Sequence, residues 1–244
     1  MNVIKLGGSL LDDVSRRDAA LEAIVARWNR GEQLVLVHGG GKHIDAALAL
    51  RGIAKKTHAG LRVTDDATLE VVIAVLGGTV NKLLVAELTK RRVRAAGISG
   101  SDGATLVAER HEPVDGVDLG HVGRVTRANA TLVRAMLTYG MLPVVSSIAA
   151  TPDGALLNVN ADAAAAALAV ALRAESLRFL TDVAGVLDAN GSVLPSLAQH
   201  EAEALVANVT GGMKPKLQAA LSALEAGVRA IEIGEEGGTN LVAA

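Results

Sequence analysis

Short apolar runs, glycine turns and amphipathic stretches alternate along the first fifty residues. Asn2 to Leu6 reads as a buried strand that ends in Gly7-Gly8-Ser9. Asp18 to Trp28 places Leu21, Ile24, Val25 and Trp28 on one helical face. Gln33 to Val37 (QLVLV) is a second buried strand, followed by Gly39-Gly40-Gly41, and Ile44, Ala47 and Leu48 open the next helix. Strand, glycine turn and helix, repeated, is the pattern of a parallel α/β sheet. Ligands of such sheets bind beyond the carboxyl ends of the strands, where both glycine turns fall.

Lys55 to Thr64 alternates polar residues around Ala59-Gly60, which predicts a β-hairpin standing off the sheet. Asp66 to Leu76 and Asn81 to Lys90 read as separate helices, Arg94 to Ile98 as a strand, and Thr105 to Arg110 as an arm of a second hairpin. A helix over Ala130 to Thr138 leads to a buried strand at Leu142 to Ser146. Asn158-Val159-Asn160-Ala161-Asp162 then opens an alanine-rich helix, whose small residues favour helix and permit close packing on the sheet. Ser176 to Leu180 is a strand feeding TDVAGV, Pro215 to Ala226 a helix after Gly211-Gly212-Met213, and Ala230 to Ile233 a late strand. A soft boundary falls near residue 174, with no linker, charge run or internal repeat to mark it.

Composition narrows the function. The 244 residues are 50% hydrophobic and 20% charged, with a net charge of −2, the balance of a globular cytoplasmic enzyme. A near-neutral chain without a basic run gives no support for binding a nucleic-acid backbone. Trp28, Tyr139 and Phe179 are the only aromatic residues, too few to build a base-stacking platform. With no cysteine, disulfides, thiolate metal sites and cysteine nucleophiles are excluded. No leader or anchor is visible at the amino terminus. The most apolar helix candidate, Ala163 to Leu172, is far shorter than the roughly 20 residues a bilayer needs.

The candidate chemistry begins with glycine. Turns at Gly7-Gly8, Gly39-Gly41 and Gly211-Gly212 let backbone N–H groups approach an anion, although tight packing of turn on sheet also uses glycine. A Walker A loop is excluded, because Leu36 stands where its first glycine belongs and His43 follows Gly41-Lys42. The dinucleotide spacing fails at Ile44. Lys5 ends an apolar strand, where its charge is costly without a partner unless the side chain snorkels to water. Lys216 lies early in a helix, opposed to the helix dipole unless an anion is near. Asp162 either caps the alanine helix or holds two ammonium groups in place. His38 and His43 lack zinc spacing, and Asp12-Asp13 and Asp65-Asp66 read as helix-start or solvated pairs, so no protein metal site is expected.

Taken together these residues resemble the amino-acid kinase family, and within it the branch that phosphorylates acetylglutamate. The resemblance runs from Val3 to about Gly227. It rests on KLGG (Lys5 to Gly8), VHGGGK (Val37 to Lys42) with Ile44-Asp45, GLRVT (Gly60 to Thr64), SGSDG (Ser99 to Gly103), DLGHVG (Asp118 to Gly123) and PVVSSI (Pro143 to Ile148). NVNAD (Asn158 to Asp162), TDVAGV (Thr181 to Val186) and GGMKPK (Gly211 to Lys216) are the most telling. The resemblance implies an open αβα sandwich on a mainly parallel sheet, the amino-acid kinase fold, with β-hairpin lids. Residues 1–174 would bind acetylglutamate and dimerise, and residues 175–244 would bind ATP.

Its implied mechanism assigns Lys5 and Lys216 to the transferring phosphoryl group, with Asp162 orienting both. Gly8 would donate its N–H to that group, and Gly40 and Gly41 theirs at the acceptor. Arg62, Asn158 and Asn160 would hold the acceptor, Arg62 through a bidentate fork on its α-carboxylate. Gly7, Ser9, Thr181, Asp182, Val183, Gly185, Val186, Leu187, Gly211, Gly212 and Met213 would contact ATP, with Mg²⁺ carried by the nucleotide phosphates. The expected assembly is a homodimer insensitive to arginine, because the first strand starts at Asn2 or Val3, without the extra helix of arginine-sensitive members. At the other end, Ile231 to Gly234 runs almost directly into Gly237-Gly238-Thr239, so a helix near the nucleotide half looks missing. Rival readings are a sister kinase acting on carrier-linked aminoadipate or free glutamate, and a non-catalytic sensor.

Overall fold

The structure is a computed structural model that describes residues 1–188, 190–209 and 211–243, with the Ser9 side chain outside the described atoms. In chain order the elements are β1 (Asn2–Leu6), α1 (Gly8–Asp12), α2 (Val14–Asn29), β2 (Leu34–His38), α3 (Gly41–Leu50), β3 (Thr57–His58) and β4 (Leu61–Arg62). Next come α4 (Asp66–Ile73), a π-helical stretch (Ala74–Val80), α5 (Asn81–Lys90), β5 (Ala95–Ser99), β6 (Leu106–Arg110), β7 (Val122–Ala128) and α6 (Thr131–Thr138). The chain ends with β8 (Leu142–Ser146), β9 (Ile148–Ala150), β10 (Leu156–Val159), α7 (Ala161–Leu172), β11 (Ser176–Leu180), β12 (Ser196–Ala198), α8 (Gln199–Val206), α9 (Met213–Glu225), β13 (Ala230–Ile233) and β14 (Thr239–Val242).

The central sheet has the order β12-β14-β13-β11-β1-β2-β8-β5. Its pairings are parallel except β13 with β14. Both faces are covered at the centre of the sheet, so β2 and β8 are buried at every position, whereas β11 and β14 nearer the edge alternate. Ile4, Leu36 and Val144 pack on the layer that holds α2 to α5. Val3, Val35, Val37 and Val145 pack on the layer of α6, α7 and α9. The second core also contains Phe179, Ile231 and Leu241, so one sheet and one core run through residue 174. Four alanines of α7 (Ala164, Ala165, Ala166 and Ala169) are buried, which lets the helix lie close to the strands beneath it.

Asn158 and Val159, expected at the opening of the alanine helix, instead end β10, and the turn after β1 opens the short helix α1. Two further elements differ from the sequence expectation. The sequence pattern gives helices over Asp66 to Leu76 and Asn81 to Lys90, but the chain widens into the π stretch between them and stays helical from Asp66 to Lys90. Val71, Val72, Leu76, Val80, Leu84 and Leu88 are all buried along it, and that burial outweighs a glycine cost of about 1 kcal/mol each. The helix is long and apolar enough to cross a bilayer by length and composition, yet this face of it is core. The second hairpin also does more than stand off the sheet: β6 and β7 close with β9 and β10 into a small barrel. The first hairpin is as expected, with Ala59 (φ 47°) and Gly60 (φ 79°) both left-handed, as a two-residue hairpin turn demands. At the carboxyl end, Gly234 to Gly238 is a turn that leads β13 straight into antiparallel β14, as the spacing predicted.

Candidate active site

The carboxyl ends of β1, β2 and β8 converge where α7 begins, and three charged side chains meet there out of water. Lys5, Asp162 and Lys216 are 7%, 6% and 6% exposed. Lys5 Nζ lies 2.9 Å from Asp162 Oδ1, and Lys216 Nζ lies 3.1 Å from Oδ1 and 3.3 Å from Oδ2. Asp162 does not cap α7. Asn160 does, its Oδ1 accepting from the N–H groups of Asp162 at 2.8 Å and Ala163 at 3.1 Å, which leaves the Asp162 carboxylate free for the two lysines.

Two buried cations share one anion, so the cluster carries a surplus positive charge in a low-dielectric setting. Burial alone would raise the Asp162 carboxyl, but the ammonium groups of Lys5 and Lys216 outweigh it and hold it below its usual range. Burial and then the neighbouring Lys5 push the Lys216 ammonium below its usual value, despite Asp162. Its Nζ also sits 5.5 Å from the centre of the Phe179 ring, a further cation contact. A second anion would complete the charge balance of the cluster.

The space in front of it is a cleft of about 240 Å³, sized for a small metabolite. Lys5, Gly8, Gly40, Gly41, Arg62, Asn158, Asn160 and Asp162 all line it. Gly8 and Gly41 abut: a Cβ on Gly8 would lie 3.4 Å from the Gly41 nitrogen. Gly40 caps α3, so the donors at that helix start face the cleft. Arg62, from β4, donates through Nη2 to the Gly41 carbonyl at 3.1 Å and pairs with Asp45. Its buried Nη1 has no hydrogen-bond partner among the described residues. Burial would raise the Asp45 carboxyl, but hydrogen bonds from Lys55 and Arg62 hold it low, so it stays an anion that anchors Arg62. Asn158 donates through Nδ2 to Thr64 Oγ1 at 3.1 Å.

The described residues expected around a nucleotide lie outside this cleft. Thr181 is buried and donates through Oγ1 to Asp182 at 3.1 Å, while Arg16 donates to the Asp182 carbonyl at 3.3 Å. Val186 N–H donates to Thr239 Oγ1 at 2.8 Å, and Glu235 N–H to the Val183 carbonyl at 3.2 Å. A Cβ on Gly185 would meet Thr239 Oγ1 at 2.7 Å, so that position admits only glycine. Val183 and Leu187 are exposed, and Gly7 N–H is tied to the Leu180 carbonyl at 2.8 Å. Gly211 and Gly212 lead into α9, whose first residue is Met213 and whose early turn carries Lys216. Among the described residues, none of this second group lines the acceptor cleft. Asp182 instead borders a more open depression with Asp12, Asp13, Arg16 and Lys42.

Some site residues were not singled out from sequence. Asp45 was seen only as part of a motif, and its spacing to Arg62 gives no hint of their pairing. Ser147 and Leu76 line the cleft, and a buried contact joins His38 to Asn81 behind it. A lone asparagine in the apolar run VLGGTVNKLL was the available signal for that contact. The paired aspartates largely follow expectation, since Asp13 and Asp65 cap α2 and α4. Asp12 departs from it by pairing with Lys42 and His43.

A buried charge cluster beside backbone N–H donors, at the carboxyl ends of parallel strands, defines a site for moving a charged group. The model of the amino acid kinase family matches residues 1–235, and the chain belongs to that family. The chain is therefore a phosphotransferase. Within the family the chain is 46% identical over 237 residues to the acetylglutamate kinase of Methanopyrus kandleri, covering 94% of this chain and 92% of that protein. It is 41% identical over 258 residues to the acetylglutamate kinase of Solibacter usitatus, covering 99% of each. A solved structure of a Streptococcus mutans protein superposes with a TM-score of 0.89 at 33% identity, covering 99% of this chain and 98% of that one.

Proposed function

We infer that the protein transfers the γ-phosphoryl group of ATP to the side-chain carboxylate of N-acetyl-L-glutamate, the second step of arginine biosynthesis. The observation that carries this reading is the pair of buried lysines on one carboxylate, a surplus charge beside a small cleft that Lys5 and Asp162 line, with Lys216 bound to Asp162. Phosphoryl transfer needs positioning and charge stabilisation more than covalent help from the protein. A carboxylate oxygen of the acceptor attacks the γ-phosphorus, the bond to the bridging oxygen breaks, and ADP leaves with the electron pair. The product is an acyl phosphate. The attacking group is already an anion, so no general base is required, and Asp162 is free to act as a tether for both lysines.

In this reading Lys5 and Lys216 neutralise charge on the equatorial and bridging oxygens. The N–H of Gly8 serves the phosphoryl group, and those of Gly40 and Gly41 serve the acceptor side. The unpartnered Nη1 of Arg62 suits the α-carboxylate of the acceptor, with Asn158 and Asn160 beside it. Thr181 to Leu187 and Gly211 to Met213 hold the nucleotide, with Gly7 and Ser9 at its phosphates. Residues 1–174 thus serve the acceptor and residues 175–244 the nucleotide. The transfer point offers ammonium and N–H donors, and its one carboxylate is committed to both lysines. Mg²⁺ therefore fits as a companion of the nucleotide phosphates, whose charge it offsets, with no ligand from the protein.

The same reading makes the protein a cytoplasmic homodimer joined through helices of the amino-terminal half. Its support is the Asp66–Lys90 helix, of whose most apolar window only 39% is buried within the chain. Light scattering that finds a monomer at micromolar concentration would remove this element. The activity itself is tested by ADP release with acetylglutamate, glutamate and aminoadipate in parallel. Turnover with acetylglutamate alone is expected. Comparable turnover with either of the others reassigns the acceptor, and no turnover with any leaves a binding protein.

A further inference from the structure

His38 closes β2 and is fully buried, and the transfer chemistry gives it no role. Its Nδ1 lies 2.9 Å from the Gly39 carbonyl oxygen, and its Nε2 lies 3.1 Å from Asn81 Nδ2. Asn81 is also fully buried and follows directly on the π stretch. Its Nδ2 faces the carbonyls of Val144 at 3.0 Å and Ile98 at 3.3 Å, while Lys82 Nζ donates to its Oδ1 at 3.1 Å. These neighbours decide which way the amide points. Flipped, its oxygen would face two carbonyl oxygens and its nitrogen an ammonium group. Nδ2 therefore donates to His38 Nε2, the imidazole proton sits on Nδ1, and Nδ1–H donates to the Gly39 carbonyl.

Fixing that carbonyl fixes the next N–H. A peptide unit is planar and trans, so the Gly40 N–H points opposite to the Gly39 C=O. Gly40 is confined from its other side as well. A Cβ there would come within 2.9 Å of Leu76 Cδ2 and 3.2 Å of Val80 Cγ2, both from the π stretch. A Cβ on Gly97 would fall 1.8 Å from Asn81 Oδ1, so the glycine clears the space that the amide fills. One widened helix thus acts on the glycine turn twice, by packing against Gly40 and through Asn81 and His38.

We propose that Asn81 and His38 are positioning residues, a buried relay that sets the plane of the Gly39–Gly40 peptide and so aims its N–H into the cleft. The relay rests on the reading of Gly40 as a donor to the reacting groups. Neither side chain touches substrate. Their effect is on the direction of a donor, which matters most as charge develops during transfer.

Two substitutions at one position separate this role from plain packing. An asparagine amide nitrogen can take the place of Nδ1, and a glutamine amide nitrogen the place of Nε2. His38→Asn keeps the donor to Gly39, whereas His38→Gln loses it. His38→Gln is expected to lower kcat on the order of 10- to 100-fold with the ATP KM unchanged, and His38→Asn to stay within about threefold of wild type. Equal loss in both variants, or full turnover in His38→Gln, overturns the relay. Nitrogen-15 NMR of the wild-type imidazole needs no variant to fold. A protonated Nδ1 and bare Nε2 at neutral pH are expected, and the opposite tautomer overturns the proposal. Wild-type protein inactive on acetylglutamate would sink the activity reading itself, whereas active wild type with equal variants would sink only the relay.

Discussion

Lys5, at the end of the first strand, and Lys216, in the opening turn of a late helix, reach the same Asp162 carboxylate at 2.9 and 3.1 Å. Neither lysine is placed well for stability, one buried in a strand and the other set against a helix dipole. Both placements make sense if a phosphoryl group completes the charge balance. Lys5→Ala and Lys216→Ala are each expected to lower kcat by about 10²–10³, the effect of losing one preorganised charge partner, with little change in acetylglutamate KM. Steady-state kinetics on purified variants check this, and near-normal turnover in either would remove that lysine from the mechanism.

Asp162→Asn should behave differently from the lysine variants. It leaves two buried ammonium groups side by side without a counter-charge, a change that costs about 3–5 kcal/mol when a buried pair is broken. An added polyanion should return part of that stability, because it binds the folded state and supplies the lost charge. Thermal unfolding with and without millimolar ATP or sulfate makes the comparison. If wild type gains as much from the anion as the variant does, Asp162 is not the counter-charge of this pair.

Much of this site was legible as residue types and spacing. Lys5 before two glycines, Asn160 and Asp162 at a helix start, and Lys216 after a glycine pair are local signals, and the fold brings them together as the motifs imply. Two readings needed coordinates. Asn160 and Asp162 are both good capping residues, and only the measured bonds show that Asn160 does the capping. The joining of the two helical spans across Gly77-Gly78 is the other, because sequence carries no signal for a π turn held by buried side chains on both sides. Contacts between distant segments, such as Asp45 with Arg62 and Asn81 with His38, leave no periodic trace at all.

Arg62 stands between Asp45 and the cleft, with one guanidinium nitrogen still unpartnered. Arg62→Ala is expected to act on the acceptor, weakening acetylglutamate by roughly 2–5 kcal/mol because a substrate carboxylate in a closed site loses its charged partner. Arg62→Lys should not restore it, since an ammonium cannot bond Asp45 and a substrate carboxylate through one planar fork. Kinetics with each substrate varied in turn give the result. A rise in the ATP KM without one for acetylglutamate would place Arg62 at the other half of the site.

His38 links the site to pH. Burial, the largest influence, lowers its pKa from 6.5 to about 4, so it is neutral in the folded protein near neutrality. Above pH 6.5 the imidazole is neutral in both folded and unfolded chains and makes no pH-dependent contribution. As pH falls below 6.5 the unfolded chain takes up its proton first, so stability declines until the folded form titrates near 4. A gap of this size corresponds to about 3 kcal/mol at the acid end of the window. His38→Asn removes the titrating group and leaves every other acid or base in place. Urea denaturation of both proteins between pH 7.5 and about 4.5 is expected to show wild type losing stability faster than the variant only below about 6.5. A wild-type-minus-variant difference that stays constant across the range would mean that the imidazole accepts its proton as readily folded as unfolded. In that case it cannot be a proton-fixed donor to Gly39.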